Sequence, residues 1–252
     1  MPDPIGSLAW AARTNGNLTA RERRSFVGAI LRTTALYAVG RARLALGMRR
    51  AGAARLDLES FALPDSALAK AAEAEAHGSL TATMVNHSYR TFAFGLALAR
   101  LDGVAVDVEQ LYVASLLHDI ALETPEPGRC FAVRGGERAR GVCERAGADP
   151  GTAQAIAEGV TIHITPGVGS ECGPLGPTVN AGALVDLVGL RLWDLDQAFV
   201  DDAIRRYPRL GCARHLAACW KAEVAAVPEG RAAAVERLSL FTVFLGLAPF
   251  SD

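Results

Sequence analysis

A chain of 252 residues, half of them hydrophobic and only 6% aromatic, can bury a sizeable core built from Ala, Leu and Val, two of which are good helix formers. Five cysteines, an odd number with no CxxC pair, argue against a disulfide framework and a structural zinc knuckle. The net charge of −1 hides an asymmetry: between Ile5 and Leu56 ten Arg face one acid, Glu22, so this segment carries +9 and the remainder −10.

The first residues, Met1 to Gly6, lack a basic region followed by an apolar run, so no signal peptide is expected. The stretch Phe26 to Leu46 is interrupted by Arg32, Arg41 and Arg43, which argues against a membrane span. A cytoplasmic protein is expected. Residues 1–18 read as a loose lead-in. Thr19 is a candidate N-cap with Glu22 as its capping-box partner, opening a helix to about Gly47 with Phe26, Ile30, Tyr37 and Leu44 on one stripe. This basic helix suits packing on the acidic body or a homo-oligomer contact. Anionic lipid or a solvated face are the other readings. Nucleic acid is set aside, because interleaved aromatics are missing.

Asp65 or Ser66 should cap a helix over Ala67–Ala76, and Asp107 a later one. Asn86–Arg100 is helical in pattern. Further helices are expected at about Phe131–Ala146, Thr152–His163, Pro177–Val188, Leu195–Arg206, Cys212–Val227 and Gly230–Leu245, with Thr165–Gly176 a Gly/Pro-rich loop. No run alternates with period two, so the fold class is all-α.

Chemistry concentrates in a few residues. His118-Asp119 follows the apolar run Val113 to Leu117. A buried ionised Asp is costly unless it is paired or bound to a cation, and one cation satisfies the carboxylate and an imidazole lone pair together. His87 precedes the apolar Phe92 and Leu96, and Asp186 lies inside the apolar run Ala181–Leu190. All four can converge in a helical bundle as metal ligands. The alternatives are a chance His-Asp pair, and a buried Asp that caps a helix or pairs with Arg.

The order His87, His118-Asp119, Asp186 resembles the signature of the HD superfamily of metal-dependent hydrolases. Leu63-Pro64-Asp65-Ser66, Asn86 to Phe92, Leu111 to Ile120, Gly182…Asp186…Gly189 and Ala248-Pro249-Phe250 resemble its cyanamide-hydratase-like branch. The resemblance runs from about Leu63 onward. It implies an HD-domain helical bundle over residues 61–252; residues 1–60 lie outside the resemblance and read as a basic N-terminal helical extension. It implies His87, His118, Asp119 and Asp186 as the ligands of one divalent metal, zinc first, with iron or manganese also suited to two His and two Asp. It places His163 beside the metal, near the substrate, where it is the candidate catalytic residue for shuttling a proton or orienting the substrate, with a satisfied core His at a helix end as the other reading.

Many phosphate-cleaving members have a Lys shortly after the His-Asp pair. Here Glu123 follows, and Lys70 and Lys221 are the only lysines. A Glu near the metal would repel phosphate. The expected activity is therefore water addition to a small, uncharged, nitrogen-containing substrate, cyanamide- or nitrile-like. Thr178, Asn180 and Arg90 are candidate substrate contacts, with a surface salt bridge as the other reading of Arg90. Phosphohydrolase or phosphodiesterase action on a nucleotide and a non-catalytic oligomeric binding protein are the alternatives.

Overall fold

The computed structural model describes residues 3–50, 52–59 and 61–250, so the outer ends of the expected extension and domain lie outside the described residues. Among the described residues there are twelve α-helices and no β-sheet, as the composition predicts. They are α1 (Leu8–Thr14), α2 (Ala20–Ala45), α3 (Ala67–Ser79), α4 (Ala82–Asp102), α5 (Val108–Leu117), α6 (Phe131–Arg145), α7 (Pro150–Ile162), α8 (Leu175–Val188), α9 (Gln197–Arg206), α10 (Cys212–Ala226), α11 (Arg231–Ser239) and α12 (Phe241–Gly246). None is long and apolar enough to cross a membrane.

The helix starts follow from side chains that satisfy otherwise orphaned backbone N–H groups. Thr19 accepts from the Glu22 N–H while the Glu22 carboxylate accepts from the Thr19 N–H at 2.7 Å, a complete capping box. Ser66 caps α3 and Asp107 caps α5. Asp149 caps α7, with Pro150 in the first turn where its missing N–H does no harm.

Three expectations need correction. The lead-in over residues 1–18 contains α1, capped by Ser7 and anchored by the buried Trp10. Its Leu8 N–H donates to the Glu158 carboxylate on α7, so tertiary contact rescues a helix too short to stand alone. The single helix expected over Gly230–Leu245 is two, because Leu240 adopts a left-handed backbone with φ of 55° and ends α11. The loop expected over Thr165–Gly176 contains a short 3-10 turn, Ser170–Cys172, and gives way to α8 at Leu175.

At the centre α4 lies against α8. A Cβ on Gly182 would sit 2.1 Å from the Thr91 carbonyl oxygen, and one on Gly95 would sit 2.8 Å from that of Thr178. Only glycine permits backbones this close, and the contact sets His87 on α4 beside Asp186 on α8. Helices α5 and α7 pack on this pair. Helix α2 lies over α11 with Phe26, Ile30 and Tyr37 inward, while Arg24, Arg32 and Arg43 are exposed. Arg23 pairs with Glu229 of the body.

A candidate metal centre

His118 and His163 sit at equivalent places, as the residues that terminate α5 and α7. Each Nδ1 donates to the carbonyl oxygen three residues earlier, to Ser115 at 2.7 Å and to Val160 at 2.6 Å. A carbonyl only accepts, so both rings carry their proton on Nδ1 and present a lone pair at Nε2. Asp119 follows His118 in the tight turn after α5.

His87 is oriented differently, by a long-range partner. Its Nδ1 lies 2.7 Å from Asp186 Oδ2. Asp186 is fully buried and surrounded by cations: Arg90 Nε reaches Oδ1 at 2.6 Å, Arg90 Nη2 reaches Oδ2 at 2.9 Å, and Arg209 Nη1 reaches Oδ1 at 2.8 Å. Burial works against its ionisation, but Arg90, His87 and Arg209 together hold its carboxyl well below the usual carboxylate range. The ionised Asp186 can only accept, so His87 also carries its proton on Nδ1.

The Nε2 atoms then turn toward one another. His118 Nε2 and His87 Nε2 are 3.2 Å apart. Asp119 Oδ2 lies 3.2 Å from His118 Nε2 and 3.6 Å from His87 Nε2, and its Oδ1 lies 3.6 Å from His163 Nε2. All four residues are almost fully buried. Burial lowers the pKa of His87 and His163. For His118 burial is outweighed by the adjacent Asp119 carboxylate, and its pKa rises. Burial raises that of Asp119 less than His118 and His163 lower it, leaving it well below the usual carboxylate range.

This donor set fits a divalent cation. Two lone pairs facing each other at 3.2 Å repel unless a proton or a cation lies between them. Ligands of one tetrahedral zinc, with bonds of about 2.0 Å, stand about 3.3 Å from one another. The contacts among His87, His118 and Asp119, 3.2 to 3.6 Å, match that spacing. These three form a compact buried group of donors that could hold a metal ion. Asp186 stands on the opposite side of the His87 ring, its oxygens engaged by two arginines.

A cavity of about 150 Å³ reaches the cluster. His118, Asp119 and His163 line it, and Asn180 lines it while donating from Nδ2 to the His163 carbonyl at 2.7 Å. Arg90 and Thr178 are not among its lining residues. Arg90 is committed to Asp186 and to the carbonyls of Tyr207 and Pro208. The Thr178 hydroxyl donates to the Pro174 carbonyl. Glu123 also turns away, accepting from the Thr81 N–H at 2.9 Å and pairing with His215 at 2.5 Å. A carboxylate at that position therefore does not face the cluster to repel phosphate. Arg209 escaped the sequence reading altogether, because it lies in the turn before α10 with no apolar run to mark it.

Residues 84–195 match the family model for the HD domain, and all five site residues discussed, His87, His118, Asp119, His163 and Asp186, lie within the match. No curated protein matches the chain. The buried His/Asp cluster fit for a divalent metal lies inside the stretch that is similar to the HD domain, on an all-α scaffold.

Proposed function

We propose that His87, His118 and Asp119 hold one divalent cation, zinc first, and that the chain adds water to a small uncharged substrate of the nitrile or cyanamide class. When bound, such a cation supplies Lewis acidity and brings the pKa of water toward neutrality. Three protein donors leave a position open, the usual arrangement of a catalytic site.

The chain's own residues supply orientation and proton movement. Asp186 fixes the His87 ring through Nδ1, with Arg90 and Arg209 fixing Asp186 in turn. His163 is the proton acceptor in this reading. Burial keeps it neutral near pH 7, its Nδ1 is already engaged, and its Nε2 faces Asp119 Oδ1 at 3.6 Å. Taking a proton there converts a contact between two acceptors into an ion pair, which favours the protonated state when it forms.

One observation carries this reading: three buried donors converge, and two of them, His118 and Asp119, open on a cavity lined by no Lys or Arg among the described residues. Phosphoester hydrolysis, the rival, calls for cations that grip phosphate oxygens. Metal content of the purified protein beside Asp119→Ala, followed by assays on cyanamide, acetonitrile and an aryl phosphodiester, tests the proposal. It expects about one equivalent in the wild type, little in the variant, and turnover of a nitrogen substrate alone. Phosphodiester cleavage as the sole activity would refute it, and absence of metal after reconstitution would leave a binding protein.

A further inference from the structure

The cavity wall says more about the ligand than the cluster does. Besides His118, Asp119 and His163 the lining is largely apolar, with Ile30 and Tyr37 from α2, Leu187 from α8, Trp220 from α10, and Phe241 and Phe244 from α12. Tyr37 and Phe244 pack edge to face at 4.8 Å. The polar side chains on this wall are largely turned to the protein itself. The Thr34 hydroxyl donates to the Ile30 carbonyl, that of Ser239 donates to the Val235 carbonyl, and Thr165 Oγ1 accepts from Arg231. Asp119 is the only carboxylate at the cavity, and no Lys or Arg lines it among the described residues.

Such a space disfavours an anion or a heavily hydrated molecule, which would lose hydration there with no Lys or Arg to meet it. It also offers cyanamide, a few polar atoms, nothing to fill the apolar end. An apolar cavity of about 150 Å³ is benzene-sized. Resting on the site reading above, we infer that the substrate is an uncharged nitrile- or amide-class molecule bearing an apolar body of about benzene size, its reactive group at the His/Asp cluster and its body against the wall that α2 and α12 supply. The N-terminal helix is then part of the substrate site. Tyr37 Oη and Trp220 Nε1 are the two atoms of lining residues that are buried without a hydrogen-bond partner.

Calorimetric titration of the zinc-loaded full chain with benzonitrile, acetonitrile and phenyl phosphate tests this. Burying the extra carbons should make benzonitrile bind about 30-fold or more tightly than acetonitrile, with phenyl phosphate weaker than benzonitrile. Ile30→Trp, which narrows the apolar part of the cavity, should abolish that preference. Should this variant fail to fold, Phe244→Ala, which enlarges the cavity, should favour 1-naphthonitrile over benzonitrile relative to the wild type. Equal affinity for the two small nitriles, or tighter binding of phenyl phosphate, overturns the inference. Turnover is read separately: a firm benzonitrile preference with no amide formed supports the cavity assignment and sinks the hydration chemistry.

Discussion

Replacing Asp186 by Asn separates two roles for this carboxylate through the stability of the metal-free protein. If it serves mainly to meet a cation, its removal in chelator should relieve repulsion among acidic donors and leave stability unchanged or raised. In the structure it neutralises Arg90 and Arg209 and accepts from His87 inside a fully buried site. Losing one partner of a buried ion pair costs about 3–5 kcal/mol, because the remaining charge is left uncompensated. Two arginines depend on Asp186, so the upper half of that range applies. For a domain of this size each kcal/mol moves the midpoint by about 2–4 °C, so thermal melts in chelator should show a drop of roughly 8–20 °C. The pH dependence follows in sign. A carboxyl held below its ordinary value stabilises the fold above the unfolded-state pKa of about 3.9 and loses that contribution as pH falls further. The wild type should lose stability on acidification below about pH 4 more steeply than the variant. A midpoint within 2 °C of wild type, estimated as under about 1 kcal/mol, would refute the reasoning.

Zinc at about 100 times its dissociation constant should stabilise the wild type by about 2.7 kcal/mol, while Asp119→Ala should show little shift in the same melts. Gly182→Ala drives a Cβ to 2.1 Å from the Thr91 carbonyl; it should cost about 3 kcal/mol or more by overpacking and weaken zinc binding, as judged by urea melts and titration. Burial and the nearby Glu158 push the Cys172 thiol up to about 11, so at pH 8 iodoacetamide should label it about 200-fold more slowly than a thiol of ordinary pKa. Mass-mapped labelling at the normal rate would show that the thiol is not so shielded.

His87, His118 and Asp119 were legible because charged or lone-pair groups in apolar runs need a common partner, and the structure brings these three together. Asp186 shows the limit of that logic. The run Ala181–Leu190 reveals that a carboxylate is buried, but not what neutralises it. One signal was present: Arg90 lies three residues after His87 on the same face of α4, amid Thr91, Phe92 and Ala93, and a buried guanidinium demands a carboxylate. Arg209 carried no such signal. Thr178 and Asn180 are two residues apart, about 200° around a helix, so both could not face one cavity, and only Asn180 does. Helix α1 was missed because seven residues rarely hold a helix without the docking that Trp10 and Glu158 provide here.

The rings of His118 and His163 are each tied to a carbonyl in the preceding turn of their own chain, and this divides the ordering entropy of the site unevenly. Forming α5 and α7 already freezes two imidazoles, so ligand capture need not immobilise them again. Only His87 relies on residues distant in sequence. Damage to the Arg90–Asp186–Arg209 group should therefore loosen the His87 arm of the cluster while His118, the other imidazole proposed to hold the ion, remains aimed, and affinity for the ion should fall in a step rather than vanish.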